Sequence, residues 1–298
     1  MSPGIGSEGK DVARVAVVTG GAKGIGKVLA EAVAKSGWDV VLAGRDERAL
    51  SSFASALEHE SGRSVRWVAL DLARPGAAAR LLEVARADGS LPDALVCNAG
   101  DYGVLGPLAQ VDFAAWKASF DLNFFASAEL VARYVEAALA SPAASRRRKI
   151  VVIGGSGLGG ARVWPAISAY ACGKAALYRL VEVVHEEVSA RGIDINCLAP
   201  GAVSTGITQQ AIAAGEAAVG SLYRASLDVR DGRGDSPHFV ADAIAALLDP
   251  ACDGLSGRLI SAKWDADHLA HPAAVRADPD LLRLRRIDDA LYTRKPRE

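Results

Sequence analysis

The sequence predicts an α/β protein, a single-domain, doubly wound parallel sheet of about seven strands with helices on both faces. Short apolar runs alternate with longer segments of helical periodicity almost to the end of the chain. Such alternation is typical of right-handed β-α-β crossovers, which produce parallel strands covered on both faces. Half of the residues are hydrophobic and only 6% are aromatic, so aliphatic side chains are expected to fill the core.

The elements follow from two repeating patterns. Arg14-Val-Ala-Val-Val18 predicts the first strand, because it is β-branched, uncharged after Arg14 and closed by glycines. A helix follows, since Ile25, Leu29 and Ala32 recur at helical spacing. Short apolar runs of this kind recur along the chain and predict strands at 14–19, 39–44, 65–70, 93–98, 149–154, 193–198 and 258–262. Apolar residues at helical spacing predict helices at 25–36, 46–60, 75–87, 112–140, 168–190 and 237–248.

No linker interrupts this alternation, so residues 12–262 are predicted to form one domain. A flexible Gly/Ser-rich N-terminus at 1–11 precedes it, and a polar C-terminal extension at 263–298 follows it. Residues 203–235 fall outside the alternation and are rich in Gly, Ala and Ser, and an irregular segment of that length is more often functional than idle. We interpret it as a substrate lid with a short helix around Thr208 to Ala218.

The charge balance argues against nucleic acid or a membrane surface as a partner, because 34 basic and 35 acidic residues give a net charge of −1. The brief basic run Arg146-Arg-Arg-Lys149 has no wider basic patch around it and is interpreted as a solvated loop before a strand. The N-terminus lacks the apolar core of a signal peptide, and no apolar run reaches the roughly 20 residues that span a bilayer. These features predict a cytoplasmic protein.

The four cysteines contain no CxxC pair, so neither a metal site nor a disulfide framework is predicted. Three of them lie in apolar stretches and are expected to be buried, reduced thiols. The four are Cys97, Cys172, Cys197 and Cys252.

A glycine turn joins the first strand to the first helix, in the segment Thr19-Gly-Gly-Ala-Lys-Gly-Ile-Gly26. A strand, a turn and a helix start form a phosphate site, because the turn exposes backbone N–H groups and the helix dipole adds positive potential. Glycine is needed where a Cβ would block a pyrophosphate. The spacing is Gly20-xxx-Gly24-x-Gly26 rather than GxGxxG, and glycines placed for packing alone are the alternative.

Tyr170 and Lys174 lie four residues apart in a helical stretch and project from one face. A phenol loses its proton at about pH 10, and a neighbouring ammonium favours the phenolate and lowers that pKa. The pair therefore suits general acid–base catalysis, although such spacing also arises in surface contacts. Tyr178 is followed four residues later by Glu182 and is expected to pack instead.

Polar side chains follow several strands at the edge where open α/β sheets bind ligands. Asp71-Leu72 closes the third strand, Asn98-Ala-Gly100 closes the fourth, and Ser156 follows the fifth. The Ser156 hydroxyl either donates to a substrate oxygen that gains negative charge or satisfies backbone groups of its own turn. Asn123 lies in a predicted helix, where asparagine is unfavourable, so it is either exposed or bound to a specific partner.

The chain resembles the short-chain dehydrogenase/reductase family across about residues 12–262. The resemblance rests on motifs that occur in order at the strand ends: the glycine turn, Asp71-Leu72, Asn98-Ala-Gly100, Asn123, Ser156, Tyr170-xxx-Lys174 and Pro200-Gly-Ala-Val-Ser-Thr205. It implies a Rossmann-type dinucleotide-binding catalytic domain. It also implies a homodimer or homotetramer that associates through the helices at 112–140 and 168–190.

The resemblance assigns a role to each motif. Tyr170 would be the general acid/base, and Lys174 would tune it while holding the nicotinamide ribose. Ser156 would orient the substrate oxygen, and Asn123 would position a water that links Lys174 to solvent. The implied cofactor site is Gly20, Lys23, Gly24, Ile25, Gly26, Arg45, Asp71, Leu72, Asn98, Ala99, Gly100, Tyr170, Lys174, Pro200, Gly201, Val203 and Thr205.

Several positions depart from the family pattern. Cys97 stands where members usually have a second Asn, and the strand before Ser156 ends Ile-Gly-Gly rather than Ser-Ser. The separation of Ser156 and Tyr170 is one residue longer than is common, and Ser168 is the alternative hydroxyl. The last strand closes Gly257-Arg-Leu-Ile-Ser-Ala-Lys-Trp264 in place of Asp-Gly-Gly.

The end of the second strand predicts the cofactor. Gly44 and Arg45 occupy the place where an NAD enzyme offers a carboxylate to the ribose 2′-hydroxyl. Arg45 and Lys23 would instead attract a 2′-phosphate, so NADP(H) is predicted. The alternative is that both cations only solvate the surface.

The residues thus predict an NADP(H)-dependent, reversible reductase of a ketone or aldehyde, with the proton supplied by Tyr170. The alternatives are a non-catalytic NADP(H)-binding sensor or structural subunit, and an epimerase or dehydratase that retains its cofactor. The identity of the small-molecule substrate stays open. Its pocket is expected to include Tyr102, Leu158, Trp164, Ile167 and the segment 206–235. The arginines of the extension, Arg283, Arg285 and Arg286, either cover a site or face solvent, and solvent is favoured.

Overall fold

The computed structural model describes residues 13–86, 89–141, 145–155 and 163–284. Its strands are β1 (Val15–Thr19), β2 (Asp39–Gly44), β3 (Val65–Ala69), β4 (Ala94–Cys97), β5 (Arg148–Ile153), β6 (Ile193–Ala199) and β7 (Leu259–Ser261). The helices up to the fifth strand are α1 (Gly24–Lys35), α2 (Glu47–Ser61), α3 (Ala77–Ala85), α4 (Phe113–Phe120) and α5 (Ala126–Ala140). The later helices are α6 (Ser168–Val188), α7 (Gly206–Ala214), α8 (Glu216–Val219), α9 (Ser221–Asp228), α10 (Pro237–Leu248), α11 (Ala266–Ala270) and α12 (Pro272–Ala277).

The described sheet is entirely parallel, with the strand order β3-β2-β1-β4-β5-β6-β7. The chain runs outward from β1 to β3 and then returns, so that β4 pairs with the other side of β1. The direction of winding therefore reverses between β1 and β4, and ligands of open α/β sheets bind outside the carboxyl ends of the strands at such a reversal. The predicted Rossmann-type parallel sheet of seven strands is confirmed.

Apolar side chains of the strands alternate between two helix layers. In β1, Ala16 and Val18 pack into one cluster with Leu29 of α1, whereas Val17 packs into the other with Leu177 of α6. All of them are completely buried. Full burial of a side chain such as Leu29 contributes about 1.5–3 kcal/mol, which explains why helices cover both faces of strands that are apolar on both sides.

The ends of all seven strands lie within one residue of the predicted positions, whereas the helix predicted at 112–140 is interrupted. It consists of α4 and α5, joined by a π-helical turn at Asp121–Phe125. Asn123 lies in this turn and is completely buried, and its side-chain Nδ2 donates to the Ser119 carbonyl oxygen at 2.9 Å. Single π-helical turns occur frequently at functional sites.

The basic run at Arg146-Arg-Arg-Lys149 is not the solvated loop that was predicted. β5 begins at Arg148, and the Lys149 side chain is 5% exposed. Its Nζ lies 2.9 Å from Asp194 Oδ2 and 2.6 Å from Asp253 Oδ1, while Arg147 also pairs with Asp194. These carboxylates come from distant parts of the sequence, so the run by itself gave no sign of them.

The C-terminal extension packs against the sheet as far as it is described. α11 and α12 bury Leu269 and Val275 in the hydrophobic core. Further along, the Leu259 N–H donates to the Leu282 carbonyl oxygen at 2.8 Å, so the extension covers the outer edge of β7. Edge strands expose unpaired backbone groups, and this contact satisfies one of them.

Arg283 of the extension does not face solvent, contrary to the prediction. Its side chain is 14% exposed, and its Nη1 lies 3.6 Å from Glu186 Oε1 on α6. Arg285 and Arg286 lie outside the described residues. The described part of the extension therefore packs against α6 and β7.

Candidate active site

The glycine turn leaves β1 at Thr19 and enters α1 at Gly24. Gly20 and Gly24 have φ angles of +63° and +53°, a region that glycine adopts without strain. A Cβ at Gly26 would overlap the Gly20 carbonyl oxygen, so the start of α1 packs directly on the turn. At the end of β4, the Asn98 side-chain Nδ2 donates to the Thr19 carbonyl oxygen at 2.9 Å. The turn is thus fixed to the neighbouring strand.

A cleft of about 360 Å³ opens outside the carboxyl ends of β1, β2 and β4. It contains most of the predicted cofactor-binding residues: Gly20, Lys23, Gly24, Ile25, Arg45, Asp71, Leu72, Asn98, Ala99, Gly100 and Thr205. Backbone N–H groups at the start of α1 and the helix dipole give one wall positive potential. A Cβ at Gly20 would come within 3.0 Å of Asn98 Nδ2, so the lack of a side chain keeps this wall open.

The segment after β6 reaches the cleft through one of its predicted residues. Thr205 caps α7, and its side chain lies 3.2 Å from the position that a Cβ would take at Gly24. Pro200, Gly201 and Val203 do not line the cleft. The Ala202 N–H next to Gly201 donates to Asp235 Oδ2 at 2.8 Å, which fixes the loop.

A carboxylate that the sequence analysis missed lies beside Arg45. Asp46 Oδ2 is 2.6 Å from Lys23 Nζ, and Asp46 Oδ1 accepts from the Ala49 N–H at 3.0 Å as the N-cap of α2. The hydrogen bond from Lys23, followed by that from Ala49, lowers the pKa of the Asp46 carboxyl. Lys23 is thus engaged in an exposed ion pair, which contributes little free energy, and its role toward a 2′-phosphate stays a prediction. Arg45 is exposed and has no carboxylate partner in the described parts of the chain.

Tyr170 and Lys174 project from one face of α6, and both are buried, at 6% and 2% exposure. Lys174 Nζ donates to the carbonyl oxygen of Ile153, the last residue of β5, at 2.9 Å. It lies 5.8 Å from the centre of the Tyr170 ring. Both side chains therefore lie at the carboxyl end of the central strands.

Asn123 joins this pair through the loop after β4. Its Oδ1 accepts from the Asp101 N–H at 3.2 Å. A Cβ at Gly100 would lie 3.0 Å from Asn123 Oδ1 and 3.3 Å from Lys174 Nζ, so both side chains meet at this glycine. The structure thus brings together Asn123, Tyr170 and Lys174.

The predicted hydroxyl, Ser156, lies outside the described residues. The chain before it reaches the phenol, because a Cβ at Gly155 would come within 2.5 Å of the Tyr170 hydroxyl. The alternative hydroxyl, Ser168, accepts a hydrogen bond from Trp116 Nε1 at 3.0 Å. That contact gives Ser168 a structural partner on α4.

Burial, rather than the lysine, controls the pKa of Tyr170. Desolvation raises the pKa of the phenol, and Tyr102 and Cys197 act in the same direction. The predicted lowering by Lys174 is wrong for this structure, because the ammonium lies towards the ring face and bonds to Ile153. Burial also lowers the pKa of Lys174, from 10.5 to about 8. The phenol is therefore protonated at neutral pH.

Helices α7 to α9, which we call the cover segment, pack on the phenol. Ala211, Val219 and Leu222 from these helices form a buried cluster with Tyr102, Ile167 and Tyr170. The Tyr102 ring meets the Tyr170 ring edge-on, with centroids 5.1 Å apart. Of the predicted pocket residues, Tyr102 and Ile167 belong to this cluster, Trp164 packs against it, and Leu158 lies outside the described residues.

The short chain dehydrogenase family model matches residues 14–215, which span β1 to α7. The chain belongs to the short-chain dehydrogenase family. It is therefore an oxidoreductase that binds a nicotinamide cofactor and acts on CH–OH or C=O groups of small molecules.

Relatives in the family are similar over most of their length. The chain is 32% identical over 250 residues to the cis-4-hydroxycyclohexanecarboxylate dehydrogenase of Sinomonas cyclohexanicum, covering 83% of this chain and 94% of that protein. It superposes with a TM-score of 0.70 on the RhlG/NADP complex of Pseudomonas aeruginosa, at 26% identity, covering 84% and 95% of the two chains. The NADP-bound 3-oxoacyl (acyl-carrier-protein) reductase of Agrobacterium tumefaciens C58 also gives 0.70, at 25% identity, covering 83% and 92%.

Other features of this short-chain dehydrogenase bear on its chemistry. Among the described residues, no helix combines the length and apolarity required to cross a membrane. The same residues contain no group of three or more side chains suited to a metal ion. Cys97, Cys197 and Cys252 are buried, as expected for three of the cysteines, and Cys172 is exposed.

Sequence reasoning missed two residues at the site. Asp46 directly precedes a helical run, and an aspartate in that position is typical of a helix N-cap. The sequence therefore did contain a signal for this residue. Gln210 Oε1 accepts from the Tyr102 N–H at 2.9 Å and ties the cover segment to the loop after β4. The two residues are 108 apart in sequence, so no local pattern connected them.

Proposed function

We propose that this short-chain dehydrogenase reduces a ketone or aldehyde to an alcohol with NADPH and also catalyses the reverse reaction. The observation that carries the proposal is the buried Tyr170–Lys174 pair, which meets the glycine-turn cleft at Gly100, where a Cβ would lie 3.3 Å from Lys174 Nζ. Burial of an ammonium without a carboxylate partner costs free energy, so a purely structural role would not favour it. Strongly shifted titratable groups in a cleft are typical of catalytic sites.

The residues of the cleft fit a dinucleotide. The N–H groups of the glycine turn would hold the pyrophosphate, Asp71 and Leu72 the adenine, and Asn98 to Gly100 the adenosine side. Thr205, which lines the cleft, would contact the carboxamide end. When bound, the cofactor supplies the hydride.

In the proposed reduction, Tyr170 donates its proton to the substrate oxygen as negative charge develops there. A phenol that burial keeps protonated at neutral pH suits this direction. We assign Lys174, whose Nζ donates to the Ile153 carbonyl oxygen, the binding of the nicotinamide ribose. We assign Asn123 the positioning of a water beside Lys174, and Ser156 the orientation of the substrate oxygen.

NADP(H) is the proposed cofactor because Arg45 lies at the end of β2 in the cleft. Two similar structures contain NADP, at 26% and 25% identity to this chain. Lys23 contributes less, since it is neutralised by Asp46. The 2′-phosphate would therefore be recognised mainly by the Arg45 guanidinium.

Arg45→Ala is expected to raise the KM for NADPH by about ten- to a hundredfold, because it removes a charge-assisted phosphate contact. The KM for NADH should change by less than about twofold. Lys23→Ala should have a smaller effect, and Arg48→Ala, an exposed arginine of α2 outside the cleft, should have none. Steady-state kinetics with both cofactors test this. Equal changes for NADPH and NADH in Arg45→Ala would refute the assignment.

Loss of NADPH fluorescence with a panel of ketones and aldehydes tests the proposed reaction. The panel includes ring ketones, because the Sinomonas relative is named for a secondary ring alcohol. NADPH binding without oxidation by any member would favour a sensor or structural subunit. Conversion of a substrate without net NADPH oxidation would favour an epimerase or dehydratase.

We also propose a homodimer or homotetramer that associates through the faces of α4 to α6. Phe113 is 60% exposed, Phe125 is 56% exposed and Val183 is 48% exposed. Phe125→Arg is expected to shift the protein to monomer in sedimentation at micromolar concentration, because exposed aromatic residues anchor interfaces. Trp264→Arg, at a 74% exposed position of the extension, is the control. An unchanged sedimentation coefficient for Phe125→Arg would move the interface elsewhere.

A further inference from the structure

The inner face of the cover segment is apolar where it meets the phenol. Ala211 and Val219 are completely buried, and Leu222 is 4% exposed. They pack in one cluster with Tyr102 and Tyr170. These side chains therefore form an apolar wall beside the Tyr170 ring.

The outer face of the same segment carries its charges. Arg224 Nε lies 2.9 Å from Glu216 Oε1, with the two side chains 78% and 52% exposed. Arg233, just after α9, pairs with Asp228, and these side chains are 63% and 55% exposed. These cations are directed to solvent and are neutralised within the segment, so they offer no partner to an anion at the phenol.

The Lys174 ammonium lies 5.8 Å from the centre of the Tyr170 ring and bonds to the Ile153 carbonyl, on the side of the phenol away from the cover segment's cluster. The groups that act on the pKa of Tyr170 besides burial are Tyr102 and Cys197, which are neutral at pH 7. Burial alone raises the pKa of Tyr102. Between Tyr102 and the inner face of the cover segment, a charged substituent on the substrate would lose hydration without gaining an ion pair from the described cluster, which is unfavourable.

The cover segment closes over one side of the phenol. Tyr170 is 6% exposed, and the Gln210 side chain holds α7 to the Tyr102 backbone at 2.9 Å. Gly215 and Gly220 separate the three helices and have φ angles of +80° and +56°. A substrate that displaces Val219 and Leu222 from the phenol replaces apolar contacts, and only an apolar body restores them.

We propose that the substrate is an uncharged ketone whose apolar body lies between Tyr102 and the inner face of the cover segment. This inference rests on the proposed function. The ketone gains a hydride from NADPH at its carbonyl carbon and a proton from Tyr170 at its oxygen, giving a secondary alcohol and NADP⁺. In this respect the chain differs from the Sinomonas relative, which is named for a carboxylate-bearing ring alcohol.

A matched pair of ring ketones tests the proposal with the full-length enzyme and NADPH. 4-Isopropylcyclohexanone and 4-oxocyclohexanecarboxylate have similar shapes and differ in charge. We expect kcat/KM to be about a hundredfold higher for the isopropyl compound, and the methyl ester of the carboxylate to recover most of the difference. Along cyclohexanone, 4-methyl- and 4-ethylcyclohexanone, kcat/KM should rise about fourfold per methylene. Equal or greater kcat/KM for the carboxylate would overturn the proposal.

Binding separates this inference from the proposed reaction. Isothermal titration of the same ketones into the Tyr170→Phe variant saturated with NADPH should give the same ranking of Kd without turnover. If that ranking holds but the wild-type enzyme oxidises no NADPH with any ketone, the proposed function fails and the binding preference stands. If the carboxylate binds as tightly as the isopropyl compound, the preference fails whatever the turnover.

Variants of α9 locate the preference. Leu222→Arg places a cation on the inner face and should raise kcat/KM for the carboxylate while lowering that for the isopropyl ketone, which inverts the ratio. Arg224→Leu removes a cation from the outer face and should leave the ratio within about twofold. Leu222→Ala, a milder change, should lower kcat/KM for the isopropyl ketone about tenfold and leave the carboxylate unchanged. An unaltered ratio in both Leu222 variants would contradict the proposed location.

Discussion

Tyr170→Phe is expected to lower kcat for ketone reduction by about a thousandfold, because general acid catalysis contributes on that order. The variant retains the ring that packs edge-on against Tyr102 and removes only the hydroxyl. The dissociation constant of NADPH should change by less than about threefold, since the glycine turn and Arg45 are untouched. Stopped-flow hydride transfer and fluorescence titration of NADPH measure the two quantities separately.

Tyr178 provides a matched control on the same helix. It is 2% exposed, its hydroxyl donates to Glu182 Oε1 at 3.1 Å, and it accepts from the Leu284 N–H at 3.1 Å. Tyr178→Phe should retain wild-type kcat and lose about 1–2 kcal/mol of unfolding free energy. Turnover by Tyr170→Phe above about a tenth of the wild-type rate would assign the proton to another donor.

The pH profile adds a second readout for Tyr170. Reduction needs the protonated phenol, and burial raises the pKa of that phenol, so the rate of reduction should be constant through neutral pH. It should fall when the pH passes the raised pKa of the phenol, whereas a step near pH 8 would report Lys174, whose pKa burial lowers to about 8. Oxidation of the alcohol needs the phenolate, so the rate of oxidation should rise as the pH approaches the raised pKa of Tyr170. A rate of reduction that rises with pH, or a rate of oxidation that falls with pH, would be inconsistent with Tyr170 as the acid/base.

Local patterns were sufficient for the sheet. The strand ends were predicted within one residue because β-branched runs and their closing glycine or polar residues are local signals. The interruption of the helix at Asp121–Phe125 was not predicted. A π-helical turn keeps helical dihedral angles and leaves the apolar periodicity almost unchanged, so the sequence pattern does not reveal it. The buried Asn123 amide lies in this turn, and its hydrogen-bond partners lie on a separate loop and on the preceding turn.

Electrostatic details of the site depended on contacts that the sequence does not show. Asp194 and Asp253 turn the basic run at Lys149 into a buried network. Asp46 gives Lys23 an ion-pair partner that the sequence analysis did not anticipate. The spacing of Tyr170 and Lys174 gave their shared helix face correctly. The sign of the phenol pKa shift depends on burial, to which residues distant in sequence contribute, including those of the cover segment. Spacing predicts neighbours, whereas the local dielectric decides protonation.

Lys174→Met is expected to reduce turnover by at least about a hundredfold and to remove a pH dependence of stability. The Lys174 pKa is lowered by burial from 10.5 to about 8. Below about pH 8 the lysine is charged in both the folded and the unfolded state, and the full cost of burying the charge is present. Between about pH 8 and 10.5 the unfolded state binds a proton that the folded state has released. The unfolding free energy of the wild-type protein therefore rises with pH in this window.

The rise attributable to Lys174 is at most about 3 kcal/mol, since each unit of pKa shift corresponds to about 1.4 kcal/mol. Chemical denaturation of the wild-type protein and Lys174→Met at several values between pH 7 and 10.5, without added NADPH, gives the difference in slope. Other lysines and tyrosines titrate in both proteins and cancel in the comparison. Parallel curves would show that Lys174 is not a desolvated charge in the folded protein.

Lys149→Met distinguishes this effect from the loss of any buried lysine. Lys149 is also buried, but its Nζ lies within 2.9 Å of Asp194 and 2.6 Å of Asp253. Its removal leaves a buried carboxylate with less compensation and should destabilise the protein by about 3 kcal/mol at pH 7, with turnover retained. Lys174 has no carboxylate partner among the described residues, and its charge is kept in the interior by one backbone carbonyl. A buried ammonium that lowers the stability of the protein is expected to serve the reaction. Loss of turnover in Lys174→Met, together with loss of stability but not of turnover in Lys149→Met, would therefore link Lys174 to catalysis.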